Sequence, residues 1–150
     1  MSTDQLLAVE LLARLSTITK ANGYATDAGL HVFDGATGVP DNHSAFLVLA
    51  ESEEGVASQK EQSGQRPDVK VSLPITVEGR TACDPLHPNT AARLLCSDIQ
   101  RAVFGPGSKL PPPINANLLY AGRTIDRRAA GETAVGVTVR LEAVFSYSLG

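Results

Sequence analysis

No run in the 150-residue chain approaches 18 apolar residues, so no stretch is long enough to cross a bilayer as a helix. The first residues lack a basic region followed by an apolar run, and no secretory signal is expected. Cysteine is scarce. Cys83 and Cys96 stand apart, with no CxxC pair and no nearby His pair, so neither a zinc site nor a disulfide framework is signalled and two reduced, packed thiols are expected. A basic surplus is also missing: 13 Lys and Arg against 16 Asp and Glu leave a net charge of −3, which argues against a surface that grips duplex by neutralising many phosphates. P-loop, GxGxxG, GxSxG and HExxH sequences are all absent, so the better-specified phosphate, dinucleotide, hydrolase and zinc-protease chemistries lack their signals.

What is there belongs to a globular protein. With 43% hydrophobic and 19% charged residues the chain lies far from the composition that keeps chains disordered. Its length suits one domain with one core, and a single domain over residues 1–150 is expected.

Leu7, Leu11, Leu15 and Ile18, joined by Ala8 and Leu12, recur at three- and four-residue spacing and predict a first helix. Ser2 and Gln5 resemble a capping box at its start, and Asn22-Gly23 is its expected end. Residues Gly29 to Gly35 read as a short strand. After a loop holding Gly38, Pro40, Asp41 and Asn42, the apolar run Phe46 to Ala50 reads as a strand covered on both faces. Residues 51–68, with Glu51, Glu53, Glu54 and Glu61, have almost nothing to bury and are expected to form a long, flexible acidic loop.

Val69, Val71, Leu73, Ile75 and Val77 then alternate with polar residues as a half-buried strand; Pro74 cannot donate to a ladder and argues for a sheet edge or a bulge. A second helix begins between Asp84 and Thr90 and runs to about Phe104, its buried face predicted as Ala91, Leu94, Leu95, Ile99, Ala102 and Val103 and its stop as Gly105-Pro106-Gly107. Pro111 to Pro113 predict a stiff, extended connector. Leu118 to Ile125 reads as a strand, followed by a turn through Asp126, Arg127, Arg128 and Gly131. The last strand is unusually long: Val135 to Tyr147 keep strict period two, beyond the usual three to ten residues, and its end is expected to reach past its own domain. The fold class expected is α+β, a mostly antiparallel or mixed sheet packed by two α-helices, with a long C-terminal strand.

Few residues suggest chemistry. His31, His43 and His87 have carboxylates nearby in sequence, Asp34, Asp41 and Asp84, and such a pair is the raw material of a general base. The ordinary reading is bland, since His31 lies in a predicted strand and the other two lie in loops. Glu51, Glu53 and Glu54 lack the interleaved ladder of a calcium loop and read as a solvated stretch. Arg123, Arg127 and Arg128 read either as a turn kept soluble by charge or as a contact for phosphate or a partner carboxylate. No catalytic, cofactor-binding or metal-binding residue is assigned, and no cofactor is expected.

Several words of the chain stand in a fixed order: Ile18-Thr19-Lys20-Ala21-Asn22-Gly23-Tyr24 after the first helix, Thr26-Asp27-Ala28-Gly29, Val32-Phe33-Asp34-Gly35, the apolar strand before an acidic loop, and Val77-Glu78-Gly79. Ser97-Asp98-Ile99-Gln100-Arg101-Ala102-Val103-Phe104, Tyr120-Ala121-Gly122-Arg123 and the closing Phe145-Ser146-Tyr147 complete the series. Over nearly the whole chain this series resembles the tail-terminator or tail-completion proteins of long-tailed bacteriophages, the family of U-like minor tail proteins. Pro111 to Pro113 depart from the pattern.

The resemblance implies a structural virion protein of the tail and neck, made in the host cytoplasm and not an enzyme. It would form a homo-hexameric ring that caps the tail tube, stops the major tail-tube protein from polymerising and presents a surface to the head–tail connector. DNA would pass through the ring without specific binding, and no membrane is implied. The alternatives are another neck component, such as a head-closure or connector protein, and a small ligand-binding or hydrolytic α+β domain using His31, His43 or His87. An enzyme would show a concave pocket joining a histidine to a carboxylate; a structural subunit would show flat, extended interfaces.

Overall fold

The structure is a computed structural model that describes residues 2–35, 45–60, 68–127 and 131–148. Two helices, α1 (Thr3–Leu15) and α2 (Pro88–Phe104), pack on a six-stranded mixed sheet. The strands are β1 (Val32–Asp34), β2 (Phe46–Glu51), β3 (Gly55–Lys60), β4 (Asp68–Ala82), β5 (Asn117–Ile125) and β6 (Ala134–Ser148). Their order across the sheet is β1-β2-β4-β6-β5, with β3 also paired to β4. Only β1 and β2 run parallel. The architecture is the α+β class expected from the pattern of the sequence.

The spine of the sheet is β4 with β6. They pair without a break from Asp68↔Ser148 to Ala82↔Ala134, fifteen residues each and on the order of 50 Å at about 3.3 Å per residue. The end of β6, expected to project alone, is therefore matched along its length by β4. Alternation sends Val69, Val71, Leu73, Ile75 and Val77 of β4, and Val135, Val137, Val139, Leu141, Ala143 and Phe145 of β6, into one core. The helices close that core with Leu7, Leu11 and Leu15 from α1 and Ala92, Leu95, Cys96, Ile99 and Val103 from α2. Leu94, expected on the buried face, is 46% exposed because it falls outside this stripe.

α1 stops at Leu15, well before Asn22-Gly23. Ser16 Oγ donates to the carbonyl of Leu12 at 2.7 Å and Thr17 Oγ1 to that of Arg14 at 2.6 Å, so hydroxyls take acceptors that another helical turn would use. A separate 3₁₀ turn, Lys20–Asn22, follows; Thr19 caps it and Gly23 closes it at φ 87°. Ser2 occupies the N-cap of α1, but its side chain makes no capping hydrogen bond, so the capping box is not formed. The expected strand from Gly29 is shorter: Ala28–Leu30 is a 3₁₀ turn and pairing begins at Val32. Gly29 is packed so tightly that a Cβ there would stand 2.5 Å from the carbonyl oxygen of Leu15.

Three further expectations change. Within the presumed acidic loop, Glu51 ends β2 and Gly55–Lys60 forms β3, antiparallel to β4. Hydrophobic periodicity missed β3 because the strand is held by backbone pairing, and its one large apolar side chain, Val56, stays 63% exposed. Residues 61–67, like the loop carrying Gly38 to Asn42, lie outside the described residues.

Pro74 sits in the central strand and not at an edge. Its carbonyl accepts from the Ser52 amide at 2.9 Å, on the side where β2, paired as far as Ile75, gives way to β3, paired from Ser72. A strand residue's N–H and C=O point to the same side, so the missing donor of Pro74 faces the gap between two partners and costs no ladder bond.

The proline segment doubles back instead of extending. Lys109 bridges Asn117, the Leu110 amide donates to Ala116 at 2.9 Å and the Leu118 amide to Ser108 at 2.8 Å. Leu110, Ile114 and Ala116 are buried beneath it while the three prolines stay exposed.

Candidate assembly surface

The sheet has one edge at β5 and the other at β1 and β3; among the described residues no strand pairs with the outer side of β1 or β3, and that of β5 is bridged at its start, where Lys109 meets Asn117 and the Leu118 amide donates to Ser108. Unpaired edges carry a row of free backbone donors and acceptors, which proteins usually blunt with charge or bulges. Here each edge strand also shows a large apolar side chain to solvent: Leu119 and Tyr120 on β5, Phe33 on β1 and Val56 on β3. Tyr120 leans edge-on against Phe104 at 6.2 Å and accepts from Gln100 Nε2 at 3.0 Å, while Phe33 meets Phe46 at 6.5 Å. These anchors hold the edge side chains in place without covering them.

A bulge interrupts β5 between Tyr120 and Gly122. Gly122 has φ 122°, and a Cβ there would lie 2.9 Å from Arg140 Nη2, so glycine suits both the backbone and the guanidinium lying over it. Arg140 Nη1 donates to Thr124 Oγ1 at 2.7 Å on the face away from the helices. Polar pairs line that face: Ser72 Oγ donates to Glu142 Oε1, Thr76 stands opposite Arg140 and Glu78 opposite Thr138.

Charge is distributed unequally between the edges. Asp34, Glu51, Glu53 and Glu54 lie on or beside β1, the end of β2 and the start of β3. Burial, then the charges of Asp4 and Asp34, push the Glu51 carboxyl above its ordinary range. Tyr147 Oη donates to Glu54 Oε2 at 3.1 Å, and that bond to a carboxylate is the first cause of its raised phenol pKa. The β5 edge has Lys109, which bridges Asn117, with Arg123 in the strand and Arg127 just after it; Asp126 is the acid among them. Burial raises the pKa of the Cys96 thiol, although the Arg123 guanidinium pulls it down.

Two buried polar groups frame the helices. Arg14 is 7% exposed, paired to Glu10 at 3.0 Å, and donates to the carbonyls of Val103 at 2.6 Å and Gly107 at 2.9 Å. Asp98, equally buried, accepts from the amides of Ala25 and Thr26 and from the Thr26 hydroxyl. Both sit on helix faces otherwise apolar, and both secure loops to helices.

Of the residues singled out for chemistry, His87 and Asp84 line one depression, while His31 lies on a different element. His31 is exposed ahead of β1, and His87 is exposed at the N-cap of α2. His43 and Arg128 lie outside the described residues. His87 borders an open depression of about 480 Å³ with Cys83, Asp84 and Leu94, too shallow to enclose a ligand. Cys83 and Cys96 are both free thiols. Among the described residues no three His, Cys, Asp or Glu side chains group as metal ligands, and no helix is long and apolar enough to cross a membrane. The exposed apolar edge residues were missed in the sequence, since only strand order turns Leu119 or Val56 from an ordinary strand residue into an edge residue.

No family model and no curated protein sequence matches the chain. A solved structure does resemble it in fold: a chain of the "Virion of native gene transfer agent (GTA) particle", with a TM-score of 0.52 and 17% sequence identity, the match covering 93% of this chain and 97% of the other.

Proposed function

We propose that this chain is a structural subunit of a phage-like particle, a tail-terminator or tail-completion protein and not an enzyme. The observation that carries the reading is the fold shared, over nearly the full length of both chains, with a subunit of a gene transfer agent virion. The resemblance of the sequence to tail terminators points the same way. The exposed sheet edges suit repeated contacts around a ring, where one surface meets a different surface of the next copy.

On this reading residues 1–150 act as one domain, and six copies form a ring on the end of the tail tube. One face stops the tail-tube protein from adding further subunits, and the other receives the head–tail connector. The net charge of −3 suits a lumen through which DNA slides, because phosphate-neutralising contacts are what hold nucleic acid. The protein would reside in the virion neck after assembly in the host cytoplasm, with no membrane, cofactor or metal involved. A head-closure or connector role is the second reading, because a likeness to a virion subunit fits either position.

The test is polymerisation of the matching tail-tube protein with and without this chain, scored by tube length and by a ring at one tube end. Capped tubes of limited length are expected. Unchanged tube lengths with no bound ring would remove the terminator role, and binding to the connector alone would favour the second reading.

A further inference from the structure

We infer that copies of this chain join head to tail through opposite edges of the sheet, the outer side of β5 in one copy pairing antiparallel with the outer side of β3 in the next. The inference rests on the self-assembly reading above and specifies which surfaces meet. Each strand carries one bulge confined to one position: β3, six residues long, between Val56 and Ser58, and β5, nine residues long, between Tyr120 and Gly122. β3 presents Val56 beside its outer backbone ladder, and β5 presents Leu119 where its outer ladder continues past Asn117 and Leu118, which the segment from Ser108 to Leu110 already pairs. Strand addition of this kind draws affinity from main-chain bonds and its register from alternate side chains.

Charge selects the partner. Antiparallel pairing brings the start of one strand to the end of the other. The start of β3 follows Glu53 and Glu54, and the end of β5 leads into Arg127, with Arg123 two residues before its last. Aligning the strands thus sets the acidic end of β3 against the basic end of β5 without further adjustment. Pairing β3 with β3 would set the acidic start of each copy against Lys60 at the end of the other, a single cation where the end of β5 offers Arg123 and Arg127. Because the two surfaces differ, the contact is heterologous and repeats, closing into a ring where the rotation between copies allows. Complementary charge of this kind sets register and suppresses wrong pairings more than it adds affinity.

The experiment uses the full chain in sedimentation velocity at low and high salt, with Arg127→Glu and Glu53→Arg made separately, mixed, and combined in one chain. Far-ultraviolet circular dichroism confirms that each variant is folded. Wild type is expected to form an oligomer that weakens with salt, and each single variant is expected to lose it. The equimolar mixture and the double variant restore opposite charges at the joints and are expected to recover it.

Single variants that assemble like wild type would overturn this contact while leaving self-assembly intact. A dimer lost by Arg127→Glu but kept by Glu53→Arg would overturn it in favour of a two-fold β5–β5 contact. A wild-type chain that stays monomeric at every concentration would overturn it too, and capping of tail tubes by that same chain separates this outcome from failure of the proposed function.

Discussion

Arg14 Nη1 in α1 lies 2.6 Å from the carbonyl oxygen of Val103 in the last turn of α2, so one buried guanidinium ties the two helices together. The same group reaches the Gly107 carbonyl beyond the helix end, where α2 has carbonyls without intrahelical partners and the negative end of its dipole. Arg14→Ala strands those acceptors and is expected to cost about 2–3 kcal/mol in urea unfolding. Glu10→Gln alters only a half-exposed pair on one helix and should cost roughly 0.5 kcal/mol or less. Equal losses from the two substitutions would show that the ion pair, and not the carbonyl contacts, is what Arg14 supplies.

Arg14 also marks where the sequence stops being informative. Its position on the apolar face of α1 is visible, but its acceptors lie 89 and 93 residues away and depend on how the helices pack. The helices, the Phe46 run and the alternation from Val69 could be read directly, because each buries enough side chains to impose a period. β3 could not, since its pairing leaves Val56 in solvent, and the last residues of β4 were missed where Gly79 breaks the pattern. The proline turn defeated the local rule for a related reason: Leu110 and Ile114 pull the segment onto the core. Of the candidate surface, the acidic Glu51, Glu53, Glu54 and the basic Arg123 and Arg127 were visible as clusters. Their placement at opposite edges follows from strand order, which no local pattern encodes.

The two thiols should separate cleanly in reactivity. Cys96 is fully buried in α2 with a raised pKa, whereas Cys83 is only part-buried after β4, its thiol 3.9 Å from the carbonyl of Glu132. At about pH 8, close to the ordinary thiol pKa, a disulfide reagent should modify Cys83 in the native protein and Cys96 only after unfolding. Cys83→Ser should abolish the native-state reaction. Two equivalents reacting at similar rates without denaturant would contradict the packing assigned to Cys96.

Glu51 gives the acidic edge a pH dependence whose sign is set by its raised pKa. Because the folded state holds this proton more tightly than the unfolded chain does, ionised Glu51 opposes folding at neutral pH. That penalty fades as pH falls through the folded pKa and is gone below the ordinary carboxylate value. Glu51→Gln should therefore raise the urea midpoint at pH 7, with the gain shrinking towards zero by about pH 4. A variant whose midpoint follows wild type in parallel across that range would show that Glu51 titrates normally. The neighbouring Asp4 and Asp34 supply part of the effect, so Asp34→Asn should shrink the gain from Glu51→Gln.

Asp98 offers the sharpest test of how the loop after α1 is held. Its carboxylate accepts from the Thr26 amide at 2.9 Å, the Thr26 hydroxyl at 2.8 Å and the Ala25 amide at 3.2 Å. Arg101, one turn along, donates to the Gly23 carbonyl at 3.1 Å and stacks 4.4 Å over the Tyr24 ring, so α2 holds residues 23–26 at two points. Asp98→Ala leaves buried donors unpaired and is expected to cost about 2–4 kcal/mol. Asp98→Asn keeps the volume but turns an amide donor towards amide donors, and should recover little. Thr26→Val removes one of the three bonds and should cost about 1 kcal/mol, with a coupling of at least roughly 0.5 kcal/mol to Asp98→Ala in a double-mutant cycle. Hydrogen exchange then separates local from global effects: if the carboxylate anchors this loop, Asp98→Ala speeds exchange at Ala25 and Thr26 by more than it lowers global stability, whereas uniform acceleration would mean that Asp98 serves the core as a whole.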